Sequence, residues 1–254
     1  MKTAAVDLGS LIPRPVEAAD VTQWVENPRG GRERGPRGLA RAWVEVLIRP
    51  RRFFRAGVAP GDQAPGLTFA VAVAAAFVGG RLLLAPSSLA GYERIAAATG
   101  SVYLSAVVVV GVACFLVAPL TLHLAAAAGT VALIAVVDDR AGVSETVQVL
   151  AYAAAPGLFA AVPVPAVRAA AAAYGALLAA VGFAVVHETS PPRAVLAATV
   201  PAVFVFGFAF GGVAAAETVV AALRGNGPAV WAPPTRRGDS DNRFKPRAFR
   251  YANG

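Results

Sequence analysis

Residues 144–194 read SETVQVLAYAAAPGLFAAVPVPAVRAAAAAYGALLAAVGFAVVHETSPPRA. The stretch holds two apolar runs, 145–162 and 166–186, joined by the tight turn Pro163-Val164-Pro165. Between Glu145 and His187 its only charged residue is Arg168. Uncharged apolar runs of about 18 residues or more read as membrane spans, because ordinary core helices are shorter. Two of them around a proline turn predict a transmembrane helical hairpin.

Working outward, the same signal repeats. Residues 67–84 form a first span ending at Ala85-Pro86, with Arg81 placed to snorkel to the headgroups. Residues 101–137 carry no charge. At 1.5 Å per residue they make a helix of about 55 Å, nearly twice the hydrocarbon thickness. We expect one long bent or tilted helix projecting beyond the membrane, with a broken pair of half-spans as the alternative and Pro119 near the middle removing the bond to the Phe115 carbonyl. Asp138-Asp139-Arg140 is a polar turn, Ser144 a candidate N-cap, and Glu145 an acid in the first turn. Pro156 should kink the third span and free the carbonyl of Tyr152. The last span is 194–216, with Pro201 as a further kink and Gly207 and Gly211 as a GxxxG contact. Ala171, Gly175 and Ala179 make a small-residue face in the preceding helix. The count is five spans. Backbone groups in lipid must pair internally, so the spans are helices and the fold class is all-α, a polytopic helical membrane protein.

The chain has 254 residues, 57% of them hydrophobic and 15% charged, where a soluble domain carries about 25% charged. Its net charge of +8 is gathered at the ends, with eleven basic residues before Gly57 and seven after Val220. Beside so apolar an interior, this pattern points to anionic lipid rather than nucleic acid. Four segments follow: a disordered basic arm over 1–35, amphipathic helices and a linker over 36–66, the spans over 67–217, and a disordered basic tail over 218–254. The arginine-rich arm places the N-terminus in the cytoplasm of a multi-pass cell-membrane protein. Five spans then put the basic tail outside, against the same rule.

Within 36–66, Leu39, Trp43, Val46, Leu47, Pro50 and Phe54 recur at helical spacing on one side. Pro50 suits the first position of a new short helix that Gly57 stops. Arg49, Arg51, Arg52 and Arg55 flank Trp43, Phe53 and Phe54. Aromatic and arginine flanks of this kind favour helices lying in the membrane surface, with the aromatics buried in lipid, over helices packed on the protein.

A chemical site is hard to find. His123 stands alone in an apolar helix, where a hydrogen bond to a neighbouring helix is the expected role, and His187 with Glu188 ends a span at the interface. The sole cysteine, Cys114, reads as a buried small apolar residue. No phosphate-binding loop, HExxH or GxSxG occurs in the sequence. We therefore expect no catalytic residues, no metal and no cofactor.

Three segments resemble the prokaryotic branch of the Yip1 family. The first is Trp43 through Leu47, Pro50, Phe53 and Phe54, similar to that family's Trp–Leu–Pro–x–x–Phe–Phe segment. The second is Tyr152 with Pro156, and the third Tyr174, Gly182, His187 and Ser190 closing the fourth span. The resemblance covers residues 24–216 and implies a five-span membrane protein with a cytosolic N-terminus. It brings no settled activity. The function expected is a non-enzymatic protein that organises or scaffolds membrane or membrane-protein partners, through contact with anionic headgroups and with other membrane proteins or its own copies. A small-solute permease or channel is the alternative, although it needs a polar lining that these spans barely offer.

Overall fold

The computed structural model describes residues 35–89 and 91–225; the basic arm up to residue 34 and the tail from residue 226 lie outside the described residues. All regular elements among the described residues are helical. In chain order they are α1 (Pro36–Ile48), α2 (Pro50–Gly57), α3 (Ala64–Leu84), α4 (Tyr92–Thr99), α5 (Val102–Val112), α6 (Ala118–Val136), α7 (Val143–Ala153), α8 (Pro165–Val186), α9 (Pro191–Ala202) and α10 (Gly212–Leu223). A π turn, Ala113–Val117, joins α5 to α6, a second, Val203–Ala209, extends α9, and a 3-10 helix, Ala155–Ala161, follows α7.

Four of these are long and apolar enough to cross a membrane: Ala64–Leu84, Val102–Val136, Pro165–Val186 and Pro191–Ala209. The 35-residue helix is the long one expected from its uncharged run, and it stays continuous. Pro119 has no N–H to offer the Phe115 carbonyl. The helix absorbs this just upstream by widening to π geometry, in which the N–H of Ala118 reaches back to the carbonyl of Ala113. Leucine, valine and phenylalanine side chains stand exposed along its length, with Phe115 83% exposed. In water such a surface is untenable, and against lipid tails it costs nothing.

Two expected spans take a different form. The third is not a kinked α-helix. α7 ends at Ala153, and Pro156 lies in the tighter 3-10 turn that follows. Residues Thr146 to Ala153 are buried without a break, so past its first turn α7 presents no exposed face. Packing contacts fix its direction. A β-carbon on Gly66 would touch Gln148 at 3.1 Å, and one on Gly80 would lie 2.7 Å from the Ala161 methyl. Residues 148–161 therefore run beside α3 and parallel to it. α8 then returns antiparallel, with Gly182 facing Val149 and Arg168 bonded to Ala160.

The last span also stops early. Its π turn ends at Ala209, and Gly211 takes φ +72°, a left-handed conformation that only glycine adopts at no cost. The chain turns there into α10, which packs on α8. Gly207 and Gly211 consequently do not form a GxxxG crossing; Gly207 faces Val213 within the same reversal. The small-residue face of α8 is used as expected, with Ala171 and Ala179 buried and Gly175 receiving the ring of Phe206.

The parallel course of the buried segment can be checked by cross-linking. In a Cys114→Ala background, Gly80→Cys with Ala161→Cys should form a disulfide once the two β-carbons ease apart to about 3.8 Å. Gly80→Cys paired with Gln148→Cys should not. The reverse pattern on a denaturing gel would place residues 148–161 antiparallel to α3.

Candidate functional site

The residues with family resemblance converge on one face of the bundle, where α1 and α2 dock on α7 and α8. Expected in lipid, the aromatics of the arm are instead in the protein. Phe53 and Phe54 are fully buried, as are Ala42 and Val46 of α1. Phe53 meets the ring of Tyr152 edge-on at 4.8 Å and that of Phe54 at 5.8 Å, and Phe69 of α3 meets Tyr152 at 5.2 Å. Phe54 lies over Gly182, where an added β-carbon would fall 3.1 Å from its ring and collide with a Val149 methyl. Trp43 donates its indole N–H to the Ala155 carbonyl at 2.9 Å and tilts against Phe159. Tyr174 donates its hydroxyl to the carbonyl of Leu47, near the end of α1. Pro50 opens α2 at its first position, and Pro156 is buried in the 3-10 turn beneath. Ser190 stands apart, exposed at the start of α9 with no side-chain cap bond.

The arginines face outward. Arg49, Arg51 and Arg55 are exposed, and Arg52 is half-buried with its Nε 3.7 Å from Glu45. The docked arm thus carries its apolar side on the bundle and its charge outside.

Below α2, two polar side chains of α7 tie down the linker, and the sequence reading did not single out the stronger one. Gln148 is wholly buried; its Nε2 donates to the Ala59 carbonyl at 2.7 Å, and its Oε1 accepts the Ala59 N–H at 3.0 Å. Glu145 accepts the N–H of Gly61 at 3.1 Å. The available signal was an uncharged amide one turn after the helix start inside an apolar run. Ser144, expected as the N-cap, is inside the helix, whose cap position is Gly142.

Both histidines differ from expectation. His123 is exposed, and its Nδ1 pairs with the Pro119 carbonyl of its own helix at 2.7 Å. His187 caps the end of α8 but is 1% exposed, with Nε2 3.4 Å from the Thr146 hydroxyl and Nδ1 unpartnered. Burial pushes its pKa from 6.5 down to about 4; the Arg140 charge adds to this, and that of Glu145 opposes it. Among the described residues no group of three or more His, Cys, Asp or Glu side chains gathers to hold a metal ion. An apolar recess of about 120 Å³ between α3, α6 and α7 is lined by Ala70, Phe77, Leu122, Leu150 and similar side chains, with Thr121 its polar exception.

A scan against protein-family models matches the Yip1 domain over residues 44–213, which takes in the docked arm from Val44 as well as the spans. No match was found among curated proteins or among solved structures.

Two outcomes follow from this geometry. Gly182→Ala should cost about 1–3 kcal/mol, because the methyl must displace Val149 and the Phe54 ring from a packed contact; unfolding in detergent measures it, and a cost near zero would mean that α2 and α7 do not press on α8 there. His187 is held neutral when folded and has a pKa near 6.5 when unfolded, so the unfolded chain binds the extra proton between these values. Stability from this group is complete above pH 6.5 and is lost as pH falls toward 4, by about 3 kcal/mol in total. The unfolding midpoint of His187→Gln should therefore depend less steeply on pH across that window than that of the wild type.

Proposed function

The chain belongs to the Yip1 domain family, a multi-pass membrane protein of helical-bundle form, and on that footing we propose that it is a non-enzymatic organiser of the membrane that works through its docked basic arm. The observation carrying this reading is the division of the arm: Phe53 and Phe54 are anchored in the protein, while Arg49, Arg51 and Arg55 stand outside it. Phe54 packs at Gly182, little more than one turn from the end of α8, so the arginines are held near the level of helix ends, where headgroups lie. Rigid presentation matters for affinity. A free arm loses conformational entropy on meeting a headgroup surface, whereas a pre-docked one has already been ordered by folding.

In this reading the bundle crosses the membrane five times, the third crossing being the buried segment of α7 and its 3-10 turn. The arm end is cytoplasmic and lies at the cell membrane, supported by Arg140 and Arg193 near the same end under the positive-inside rule. The motif residues Trp43, Tyr152, Pro156, Tyr174 and His187 support placement in the prokaryotic branch. A permease or channel is less well supported, since the recesses between the spans are lined almost wholly by apolar side chains.

The test uses the full-length protein in nanodiscs containing a mixture of phosphatidylglycerol and phosphatidylcholine. Lipids retained on mild detergent extraction should be enriched in phosphatidylglycerol for the wild type. Replacing Arg49, Arg51, Arg52 and Arg55 together by Gln should reduce that enrichment by about fivefold or more at low salt, and by less at high salt. Equal enrichment in both proteins would show that the arm does not gather anionic lipid.

A further inference from the structure

Arg81 and Arg168 come together at the end of the bundle opposite α2. Arg81 lies less than one turn before the end of α3, and Arg168 less than one turn after the start of α8. Sequence reading sends Arg81 outward to the headgroups, but it is folded inward and is 5% exposed. Its Nη1 is buried and meets no acceptor among the described residues. An enclosed guanidinium without an acceptor is among the most expensive arrangements a protein interior can hold. Its charged neighbour is Arg168, of like sign, which raises that cost. Arg168 has one bond, from Nε to the Ala160 carbonyl at 3.3 Å. Neither arginine is paired with a carboxylate among the described residues.

Three packing contacts hold this place in shape. Gly80 sits against Ala161, beside the carbonyl that Arg168 grips. Phe77, one turn before Arg81, meets the ring of Phe210 at 5.0 Å. Gly211 follows Phe210, and a β-carbon there would lie 3.6 Å from Cδ and 3.8 Å from Nη1 of Arg168. Gly211 is also the cap position of α10, a 12-residue helix with no side-chain cap bond. Its first turn carries the positive end of the helix dipole, and its cap residue Gly211 lies beside the Arg168 side chain. Arg168 lies beside a helix start and within electrostatic reach of the enclosed Arg81, and the missing component is an acceptor. A phosphate oxyanion matches the fork of a guanidinium and the donors of a helix start.

We propose that this is a binding site for a phosphate group at headgroup depth on the membrane side opposite α2, with Arg81 as the enclosed donor and Arg168 and the start of α10 completing it. A membrane phospholipid and a free phosphate ion offer the same chemistry. The site is separate from the arm, so either reading can fail without the other.

The test reads the unfolding midpoint of the full-length protein, purified in a phosphate-free maltoside detergent. It is titrated with inorganic phosphate, with phosphatidylglycerol, and with a phosphate-free glycolipid. The midpoint should rise with phosphatidylglycerol and not with the glycolipid. A rise with inorganic phosphate as well identifies a site open to the free ion, and a rise with lipid alone identifies a headgroup site. Arg81→Gln and Arg168→Gln should each raise the half-saturating concentration about tenfold or more. In the protein with all four arm arginines changed to Gln, which lacks the arm's own lipid contacts, phosphatidylglycerol should still raise the midpoint, and adding Arg81→Gln should abolish that rise. Without ligand, Arg81→Gln should be at least as stable as the wild type, since it removes an unpaired buried charge; Arg168→Gln, less enclosed, serves if it is not. Equal stabilisation by the glycolipid, no rise with either phosphate source, or unchanged half-saturation in the Gln variants overturns the site.

Discussion

The structure depends on a helix that is enclosed by protein past its first turn. Every side chain from Thr146 to Ala153 is buried, so α7 must be matched on all sides at once. A helix of about 10 Å diameter can be wrapped this way only if its neighbours come close, and small residues permit that. Gly66 brings α3 against it, Gly80 brings α3 against the 3-10 helix that follows, and Gly182 brings α8. Because lipid tails are as apolar as leucine, burial here draws little from the hydrophobic effect, and close dispersion contacts carry the packing.

The remaining open side of α7 is covered by the arm. This explains why α1 and α2 are short, amphipathic and rich in aromatic side chains without lying in lipid. Phe53 on Tyr152, Trp43 on the Ala155 carbonyl and Tyr174 on the Leu47 carbonyl attach them at points spread along both helices. Gln148 then fixes the exit, pairing both backbone groups of Ala59 with one amide. In an apolar interior such a two-bond clamp is worth more than its surface equivalent, because the unpaired alternative has no water to turn to.

Charge is arranged in keeping with that frame. On the arm it is outside and solvated; at the end opposite α2 it is enclosed, with Arg81 and Arg168 adjacent. His187 is enclosed too, but it meets burial by staying neutral, an option a guanidinium does not have.

Charge-free runs and proline positions by themselves determined a helical membrane protein, the long continuous helix over the uncharged run, the proline turn of the hairpin and the start of α2 at Pro50. These are properties of single segments, read from run length and from the missing proline N–H. The amphipathic pattern of Leu39, Trp43, Leu47 and Phe54 likewise determined which side of the arm is apolar. Only the tertiary structure decided what that side faces, since protein interior and lipid are equally apolar and periodicity does not distinguish them. For the same reason the sequence could not show that α7 is enclosed past its first turn, that Arg81 turns inward, or that Gly211 ends the last span rather than packing against another helix. Each of those depends on which neighbour arrives from elsewhere in the chain, and residues far apart in sequence, such as Gln148 and Ala59 or Arg168 and Gly211, become neighbours only when the bundle closes.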